Sequence, residues 1–219
     1  MSSYNTIVSF FKDGGAFMYP IVLVLAIGLA IAIERWLYLT KSKVTSQFTW
    51  KKVMPLLKSG DFRQVANIAS NSRTAMGNVL SYGIDRVRTA KQRDDVEKAM
   101  EEGLMEVVPR LEKRTHYLAT FANIATLLGL LGTIIGLIKA FTAVAGVNPA
   151  QKADMLSESI SVAMNTTAFG LMVAIPLLIF HAFLQTKTTE IVDSLEMASV
   201  KFLNSIAEKS SPARRTAKS

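Results

Sequence analysis

Three long runs of apolar residues dominate the pattern of this chain. Residues 14–33, 115–138 and 159–186 contain no Asp, Glu, Lys or Arg, and the runs are 20, 24 and 28 residues long. About 20 apolar residues are enough for a helix to cross the hydrocarbon core of a bilayer. The pattern predicts an all-α integral membrane protein with three transmembrane helices, two of which are long and extend into a cytoplasmic helical bundle.

The polar stretches between these runs divide the chain into seven segments. We predict, in order, an outer interfacial helix, a first transmembrane helix, a cytoplasmic helical segment, a second transmembrane helix, an outer (periplasmic) connector, a third transmembrane helix, and a cytoplasmic helix extension with a basic tail. Their ranges are 1–15, 16–40, 41–114, 115–146, 147–156, 157–187 and 188–219. The first apolar run is too long for a cleaved signal peptide and lacks a basic region before it, so we expect it to be retained.

The cytoplasmic segment has the pattern of several helices. Residues 51–58 and 74–89 are predicted helices, and Asp61 can cap a helix over 61–70. A further helix is predicted to begin near Asp94 and to continue without a break through Pro109 into the second span. The apolar face of this helix comprises Val96, Met100, Leu104, Val107 and Leu111. The apolar face of the extension after 187 comprises Ile191, Leu195 and Phe202.

The distribution of Lys and Arg residues predicts the orientation of the chain in the membrane. The chain has a net charge of +8, and 15 of its Lys and Arg residues lie in 41–114, whereas the connector 147–156 contains only Lys152. Lys and Arg are concentrated on the cytoplasmic side of membrane proteins, so we predict a periplasmic N-terminus and a cytoplasmic C-terminus. The basic residues are mixed with acidic ones and lack interleaved aromatic residues. Contact with anionic lipids therefore explains them better than nucleic-acid binding.

The residue types exclude several function classes. The chain has no cysteine and two histidines, and it contains no GxxxxGK[ST] loop. A disulfide, a thiolate nucleophile and a cysteine metal site are excluded, and no Ser-His-Asp arrangement emerges. We therefore expect neither enzyme activity nor a metal or other cofactor.

The second and third spans carry small residues in a regular series. Gly129, Gly132 and Gly136 recur with alanines at intervals of four and three, and Gly170 belongs to a matching series in the third span. Small residues at this spacing let membrane helices approach closely. The same spans carry polar side chains beside the series, namely Thr126, Thr133, Asn165, Thr166 and Thr167.

These polar side chains are candidates for lining an ion path, because hydroxyl groups can coordinate or relay a small cation. The alternative is that each threonine bonds to a carbonyl of its own helix. Hydroxyls do not take up and release protons near neutral pH, and neither span has a carboxylate at its middle. A titrating group would therefore have to come from another chain.

The first span ends at two opposite charges, Glu34 and Arg35, which are followed by Trp36 and Tyr38. Trp and Tyr are typical of the membrane interface, and Arg35 can extend to the inner headgroups. A carboxylate at this depth needs a partner. We predict that Glu34 pairs with Arg35 or with a base of a neighbouring subunit, and a direct part in ion movement is the alternative.

Two sequence motifs, one in the second predicted span and one in the third, resemble those of a known family. LATFANIATLLGLLGTIIGLIKAF (118–141), followed by ISVAMNTTAFGLMVAIP (160–176), resembles the MotA/TolQ/ExbB proton-channel family, and the three-span layout resembles its ExbB/TolQ branch. The resemblance implies a homo-pentameric ring around two ExbD/TolR-like single-span subunits, each with a membrane Asp that takes the ion. It also implies that Thr133 and Thr167 line the pore.

The resemblance implies a place and a role as well. The expected place is the bacterial inner (cytoplasmic) membrane, and the expected role is to couple H+ flow to TonB-type outer-membrane transport through a TonB-like protein. A Na+-driven version, a Tol-like or other force-generating envelope role, and a passive membrane scaffold remain alternatives.

The chain departs from the family pattern at two positions. Thr126 stands where relatives usually have Pro, and Val162 stands where they commonly have Glu. The cluster of Asn165, Thr166 and Thr167 adds oxygen atoms beside the expected pore threonine. Oxygen clustering suits a dehydrated Na+, so H+ and Na+ both remain open.

Overall fold

A computed structural model of the chain describes residues 14–87, 89–90, 92–146 and 148–210. The helices of this part are α1 (Met18–Ser59), α2 (Phe62–Ser70), α3 (Ala75–Val87), α4 (Arg93–Glu112), α5 (His116–Val144) and α6 (Pro149–Ser210). Three helical stretches are long and apolar enough to cross a membrane. The chain is therefore a multi-pass, all-helical membrane protein with three spans, as predicted. Most of the predicted outer helix 1–15 and the tail from 211 lie outside the described residues.

The described residues form two compact units. The first unit draws on Met1–Arg35 and Arg114–Phe183, and the second unit on Trp36–Lys113 and Leu184–Ser219. In the first unit, the beginning of α1 packs through Met18, Ile21 and Ala32, which are buried. A Cβ placed on Gly28 would lie 2.8 Å from Leu177 Cδ2, so this glycine lets α1 and α6 approach closely within the unit.

The second unit is a bundle made by the rest of α1, by α2, α3 and α4, and by the rest of α6. The predicted cap is confirmed, since the side chain of Asp61 accepts a hydrogen bond from Gln64 N at 3.1 Å. The predicted apolar face of the extension is also confirmed, because Ile191, Leu195 and Phe202 are buried. The segment 51–58 is not a separate helix, since α1 continues through Pro55 to Ser59.

The buried face of α4 differs from the prediction at one position. Val96, Met100, Val107 and Leu111 are buried as predicted, whereas Leu104 is half-buried and Gly103 takes the central place. The other four residues were identified by their spacing, but Gly103 has no side chain to mark a buried face.

Gly103 is buried in place of Leu104, and the ring of Tyr82 on α3 lies close to it. A Cβ at Gly103 would lie 3.1 Å from Tyr82 Cδ2, so only a very small residue fits below this ring. The hydroxyl of Tyr82 donates a hydrogen bond to the Glu106 carboxylate on α4. This bond, together with the negative charge of Glu106, raises the pKa of Tyr82 above its ordinary value.

The prediction of one unbroken helix from Asp94 into the second span is wrong. The helix α4 ends at Glu112, and α5 begins at His116. Arg114 lies between them with a φ of +66°, in the left-handed region. A residue in this conformation cannot continue a right-handed α-helix, and the side-chain pattern does not encode it.

The last helix begins inside the predicted outer connector 147–156. The helix α6 begins at Pro149, and Gln151 N bonds to Asn148 O at 3.0 Å. Proline is favoured at the first position of a helix, because its fixed φ suits the helix and its missing N–H would lack a helical partner there. Asn148-Pro149 therefore marks the start of α6, and the bounds of the outer connector stay a prediction.

The backbone at Arg114 gives a testable expectation for stability. Arg114→Ala should lower the melting temperature of the purified protein by about 2–4 °C relative to Arg114→Gly, since a Cβ in the left-handed region costs about 1 kcal/mol or more. Both variants lose the Arg114 side chain equally, so the comparison isolates the backbone. Thermal unfolding in one detergent measures it, and equal melting temperatures would contradict the positive φ.

Candidate ion pathway

The helices α5 and α6 touch each other at two glycines. A Cβ on Gly129 would lie 3.2 Å from Thr167 Cα, and a Cβ on Gly170 would lie 2.7 Å from the Ala125 carbonyl oxygen. The second distance is shorter than any tolerable contact, and the atom it meets belongs to the backbone. Backbone therefore lies against backbone here, as in the close helix pairs that small residues allow.

The series of small residues continues along the same contact. A Cβ on Gly132 would lie 2.4 Å from Thr166 Cγ2, and one on Gly136 would lie 2.7 Å from Ala163 Cβ. Within α5, Ala125, Gly129, Gly132 and Ala140 are buried. Small residues therefore line the contact between α5 and α6 inside one chain, and their use between subunits stays a prediction.

This close contact brings Thr133 and Thr167 together. Their hydroxyl oxygens are 2.9 Å apart across the two helices, and both side chains are half-buried. The Thr167 hydroxyl also lies 2.9 Å from the Gly129 carbonyl oxygen. The Thr133 hydroxyl lies 2.8 Å from the Leu130 carbonyl oxygen and 3.3 Å from that of Gly129.

The pair has more acceptors than protons. Each threonine hydroxyl has one proton and two lone pairs, and the two protons are shared between two carbonyl oxygens and the partner hydroxyl. Whichever way the protons are placed, each hydroxyl oxygen keeps at least one unused lone pair. The alternative of bonding to carbonyls of the same helix is thus true of Thr133, but it does not exhaust its hydrogen-bonding capacity.

The other two polar residues of the third span do not share the position of Thr167. Thr166 is 2% exposed, and its hydroxyl bonds to Gly14 O at 2.6 Å and to Val162 O at 2.9 Å. Asn165 is half-buried, and it lies about 200° from Thr167 around the helix, because successive residues turn by about 100°. Thr166 therefore holds the segment before α1, and its place in an ion path stays a prediction. Asn165 belongs to a different side of α6.

The two residues that depart from the family pattern, Thr126 and Val162, make ordinary local contacts. Thr126 is half-buried, and its hydroxyl bonds to Ala122 O at 3.1 Å on its own helix. It lies two helical turns from Thr133 on the same face, which is about 10 Å along α5. Val162 is half-buried beside the segment before α1, since a Cβ on Gly15 would lie 3.3 Å from Val162 Cγ1.

Glu34, at the end of the first span, has an ion-pair partner in the break between α4 and α5. Glu34 Oε2 forms an ion pair with Arg114 Nη1 at 3.6 Å, and both side chains are about half exposed. Arg35 is only 3% exposed, so it is packed inside the protein and does not extend to lipid headgroups. An ion pair this exposed contributes at most about 1 kcal/mol, which makes it a local contact at the helix break.

The helix stretches that carry the threonine pair contain no titratable group. Residues 118–138 of α5 and 159–180 of α6 include no Asp, Glu, Lys, Arg or His. Among the described residues, no group of three or more His, Cys, Asp or Glu could hold a metal ion. The threonine pair can therefore offer oxygen atoms to a cation, but it cannot itself release or take up a proton.

The hydrogen-bond acceptors of Thr166 and Thr167 could not be predicted from the sequence pattern. Gly14 O accepts from Thr166 across 152 positions of sequence, and Gly129 O accepts from Thr167 across 38. Backbone carbonyls have no residue-type signal. The glycine at 129 carries the only hint, because small residues mark a close approach of two helices.

Comparison with known proteins shows which family this chain is related to. Residues 71–197 match the MotA/TolQ/ExbB proton channel family. A biopolymer transport protein ExbB homolog of Methanothermobacter thermautotrophicus is 27% identical over 195 residues, which cover 89% of this chain and 68% of the relative. The biopolymer transport protein ExbB of Aquifex aeolicus is 33% identical over 114 residues, covering 51% of this chain and 72% of the relative.

A Tol-Pal system protein is similar as well. TolQ of Haemophilus influenzae is 37% identical over 79 residues, which cover 36% of this chain and 34% of the relative. The family match covers more than half of the chain and includes Thr133 and Thr167. It confirms the resemblance drawn from the two span motifs, and it confirms that the chain is a channel protein rather than an enzyme. This chain belongs to the MotA/TolQ/ExbB proton channel family.

Proposed function

We propose that this chain is the ring-forming subunit of an ion-driven motor in the bacterial inner membrane. The observation that carries the proposal is the Thr133–Thr167 pair, in which two hydroxyls with unused lone pairs lie 2.9 Å apart on stretches, 118–138 and 159–180, without titratable side chains. Such a pair completes an ion path only when another chain supplies a carboxylate. The ion-carrying Asp of an ExbD/TolR-like single-span subunit is the group that fits.

The proposed assembly is a homo-pentamer around two such subunits. Large apolar side chains of α5 are exposed on the single chain, including Leu127 (62%), Ile134 (57%) and Phe141 (62%). Their exposure is that of a surface covered by lipid or by other subunits. The number of five subunits and the central pair of partner subunits rest on the family resemblance. The periplasmic N-terminus and the cytoplasmic C-terminus rest on that resemblance and on the charge distribution.

The proposed mechanism follows from the hydroxyl chemistry. A partner carboxylate that faces the pair when deprotonated accepts a hydrogen bond from one of the two hydroxyls. When it is protonated, it donates to a free lone pair of the other. Both protonation states are therefore stabilised by the same two residues, so the carboxyl can load and release its ion without losing its partners. Movement of the inner subunits past successive copies of the pair would convert this cycle into force.

The ion is proposed to be H+, with Na+ as the alternative. Thr166 is buried against Gly14 and Asn165 faces another side of α6, so fewer oxygen atoms surround Thr167 than the motif suggests. A dehydrated Na+ needs several oxygen ligands, whereas a proton carried by a carboxyl needs one acceptor. The structure therefore favours the proton.

The process that the motor drives is proposed from its relatives. The names of the ExbB relatives describe biopolymer transport, and the family resemblance favours energisation of TonB-type outer-membrane transport through a TonB-like protein. The similarity to TolQ supports a Tol-like envelope role as the second candidate.

Ion flux through a reconstituted complex tests the proposal. We expect the chain, co-purified with an ExbD/TolR-like partner and placed in liposomes, to acidify the lumen under an inward proton gradient. A partner with its membrane Asp changed to Asn should stop this flux. A sodium-sensitive dye in matched liposomes distinguishes the ions: Na+ flux without H+ flux would overturn the proton assignment. Flux of neither ion from an intact complex would favour a passive scaffold.

A further inference from the structure

The second unit contains a cavity that the ion pathway does not use. Its volume is about 420 Å³, and it lies between α1 and α6, with Met76 of α3 at one end. The residues that α1 contributes lie at positions 43, 46, 47, 50 and 51, which share one face of a helix. Cavities of this size between helices of a bundle are common sites for small ligands.

The lining of this cavity combines apolar side chains with basic ones. The apolar part consists of the Trp50, Met76, Ile191 and Met197 side chains, and the polar part includes Lys43, Ser46 and Lys51. The lining includes no acidic residue. A ligand that fits these walls has one negative group and an apolar body.

The two lysines differ in availability. Lys43 Nζ is bonded to Glu190 Oε2 at 2.5 Å, and this bond to Lys43 lowers the pKa of Glu190. Lys51 is exposed and makes no ion pair within the part of the chain that the structure describes. An anion in the cavity would therefore meet Lys51 as a free charge and Lys43 as one already shared with Glu190.

A buried hydroxyl provides a second, independent observation. Ser46 lines the cavity and is 3% exposed, and its Oγ has no hydrogen-bond partner among the described residues. An unpaired buried hydroxyl is unfavourable, and native proteins have few. Other hydroxyls along the helices of this unit, such as those of Thr49 and Ser194, bond back to a carbonyl four residues earlier. Binding of a ligand would require another χ1 rotamer of Ser46, one that turns its hydroxyl toward the cavity.

We propose that this cavity binds a free amphiphile that carries one anionic headgroup and an alkyl chain. The headgroup is held by Lys51 and the Ser46 hydroxyl, and the chain packs on Trp50, Met76 and Met197. Met side chains adapt to a flexible alkyl chain better than branched ones. Along α1, Lys43 and Trp50 come about 10 and 21 Å after Trp36, at 1.5 Å per residue. A lipid that stays in the bilayer interface near Trp36 does not reach this cavity, which therefore takes a molecule from the aqueous phase.

The two tryptophans of the chain make the proposal measurable. Trp36→Phe leaves Trp50 as the single tryptophan, so fluorescence then reports the cavity wall. We expect 11-bromoundecanoate, whose bromine quenches indole on contact, to quench Trp50 in a saturable way in a neutral detergent. The alcohol 11-bromoundecanol has the same chain without the charge and should quench far less. Equal quenching by both would show partition into detergent and would overturn the proposal.

Charge variants in the Trp36→Phe background make the test specific. Lys51→Gln should weaken binding about five- to tenfold, since it removes a charge-assisted contact that is partly screened by water. Lys52→Gln is the matched control, because the Lys52 ammonium lies 4.3 Å from the centre of the Phe48 ring and lines no part of this cavity. It should change binding less than about twofold.

Two further variants should act in opposite directions. Glu190→Gln frees Lys43 and should tighten binding about two- to threefold. Ser46→Ala should weaken binding without lowering the melting temperature, since it removes a hydroxyl that is unpaired without the ligand. Equal effects of Lys51→Gln and Lys52→Gln, or weaker binding by Glu190→Gln, would overturn the proposed headgroup site.

Discussion

Gly170→Leu is expected to prevent α5 and α6 from packing and thereby to abolish the folded protein. A Cβ at this position would lie 2.7 Å from the Ala125 carbonyl oxygen and 3.1 Å from Gly129 Cα. Neither atom is the end of a flexible side chain, so the helices themselves would have to separate. Overpacking against a rigid backbone costs about 3 kcal/mol or more, and separation would also break the Thr167–Gly129 hydrogen bond.

The chain offers a matched control for this change. A Cβ at Gly146 would meet nothing within 4 Å, and its φ is not positive, so Gly146→Leu adds the same side chain in open space. We expect the Gly146 variant to elute and melt like the wild type, and the Gly170 variant to aggregate or to melt at least about 8 °C lower. Similar behaviour of the two variants would contradict the close packing of α5 on α6.

Replacing both pathway threonines by valine is expected to reduce partner-dependent ion flux by about ten- to a hundredfold while the complex still assembles. Valine keeps the shape of threonine but removes the hydroxyl, and hydrogen bonds to charged groups contribute about 1.5–3 kcal/mol. The Gly129 and Leu130 carbonyl oxygens that lose these hydroxyls remain in a helical backbone. The loss should therefore fall on ion transfer rather than on folding.

The control and the single variants sharpen this expectation. The Thr142 hydroxyl is exposed on α5 and bonds to Ile138 O at 2.8 Å, so Thr142→Val makes the same change outside the pair. It should leave flux unchanged. Thr133→Val and Thr167→Val share one hydrogen-bond network, so their separate losses should not add up to that of the double variant. Wild-type flux from the double variant in liposomes would overturn the proposed pathway and leave the scaffold role.

The sequence predicted the features that depend on periodicity. The three spans follow from uninterrupted apolar runs, and the packing surface around Gly129 and Gly132 follows from small residues at helical spacing. The buried face of α6 at Ile191, Leu195 and Phe202 follows in the same way. Regular spacing is visible in one dimension because a helix repeats every 3.6 residues.

The features that the sequence did not reveal depend on single backbone angles or distant partners. The break at Arg114 is one φ value, and arginine is not a residue that marks the left-handed region. The partner of Glu34 proved to be Arg114, 80 positions away in the sequence, although Arg35 is adjacent. Thr166 looked like Thr167 in the motif, but the Thr166 hydroxyl bonds to the Gly14 carbonyl oxygen, whereas the Thr167 hydroxyl contacts Thr133 and the Gly129 carbonyl oxygen.

The bond between the Thr166 hydroxyl and the Gly14 carbonyl oxygen has a mechanical consequence. It joins the segment that precedes α1 to α6 at a buried point, directly beside Thr167 in the chain. A pull on the residues before α1 is thus transmitted to α6 one peptide unit from a pathway hydroxyl, with little slack, because the linkage is short and shielded from water. The position of Gly14 is therefore coupled to the backbone beside the threonine pair.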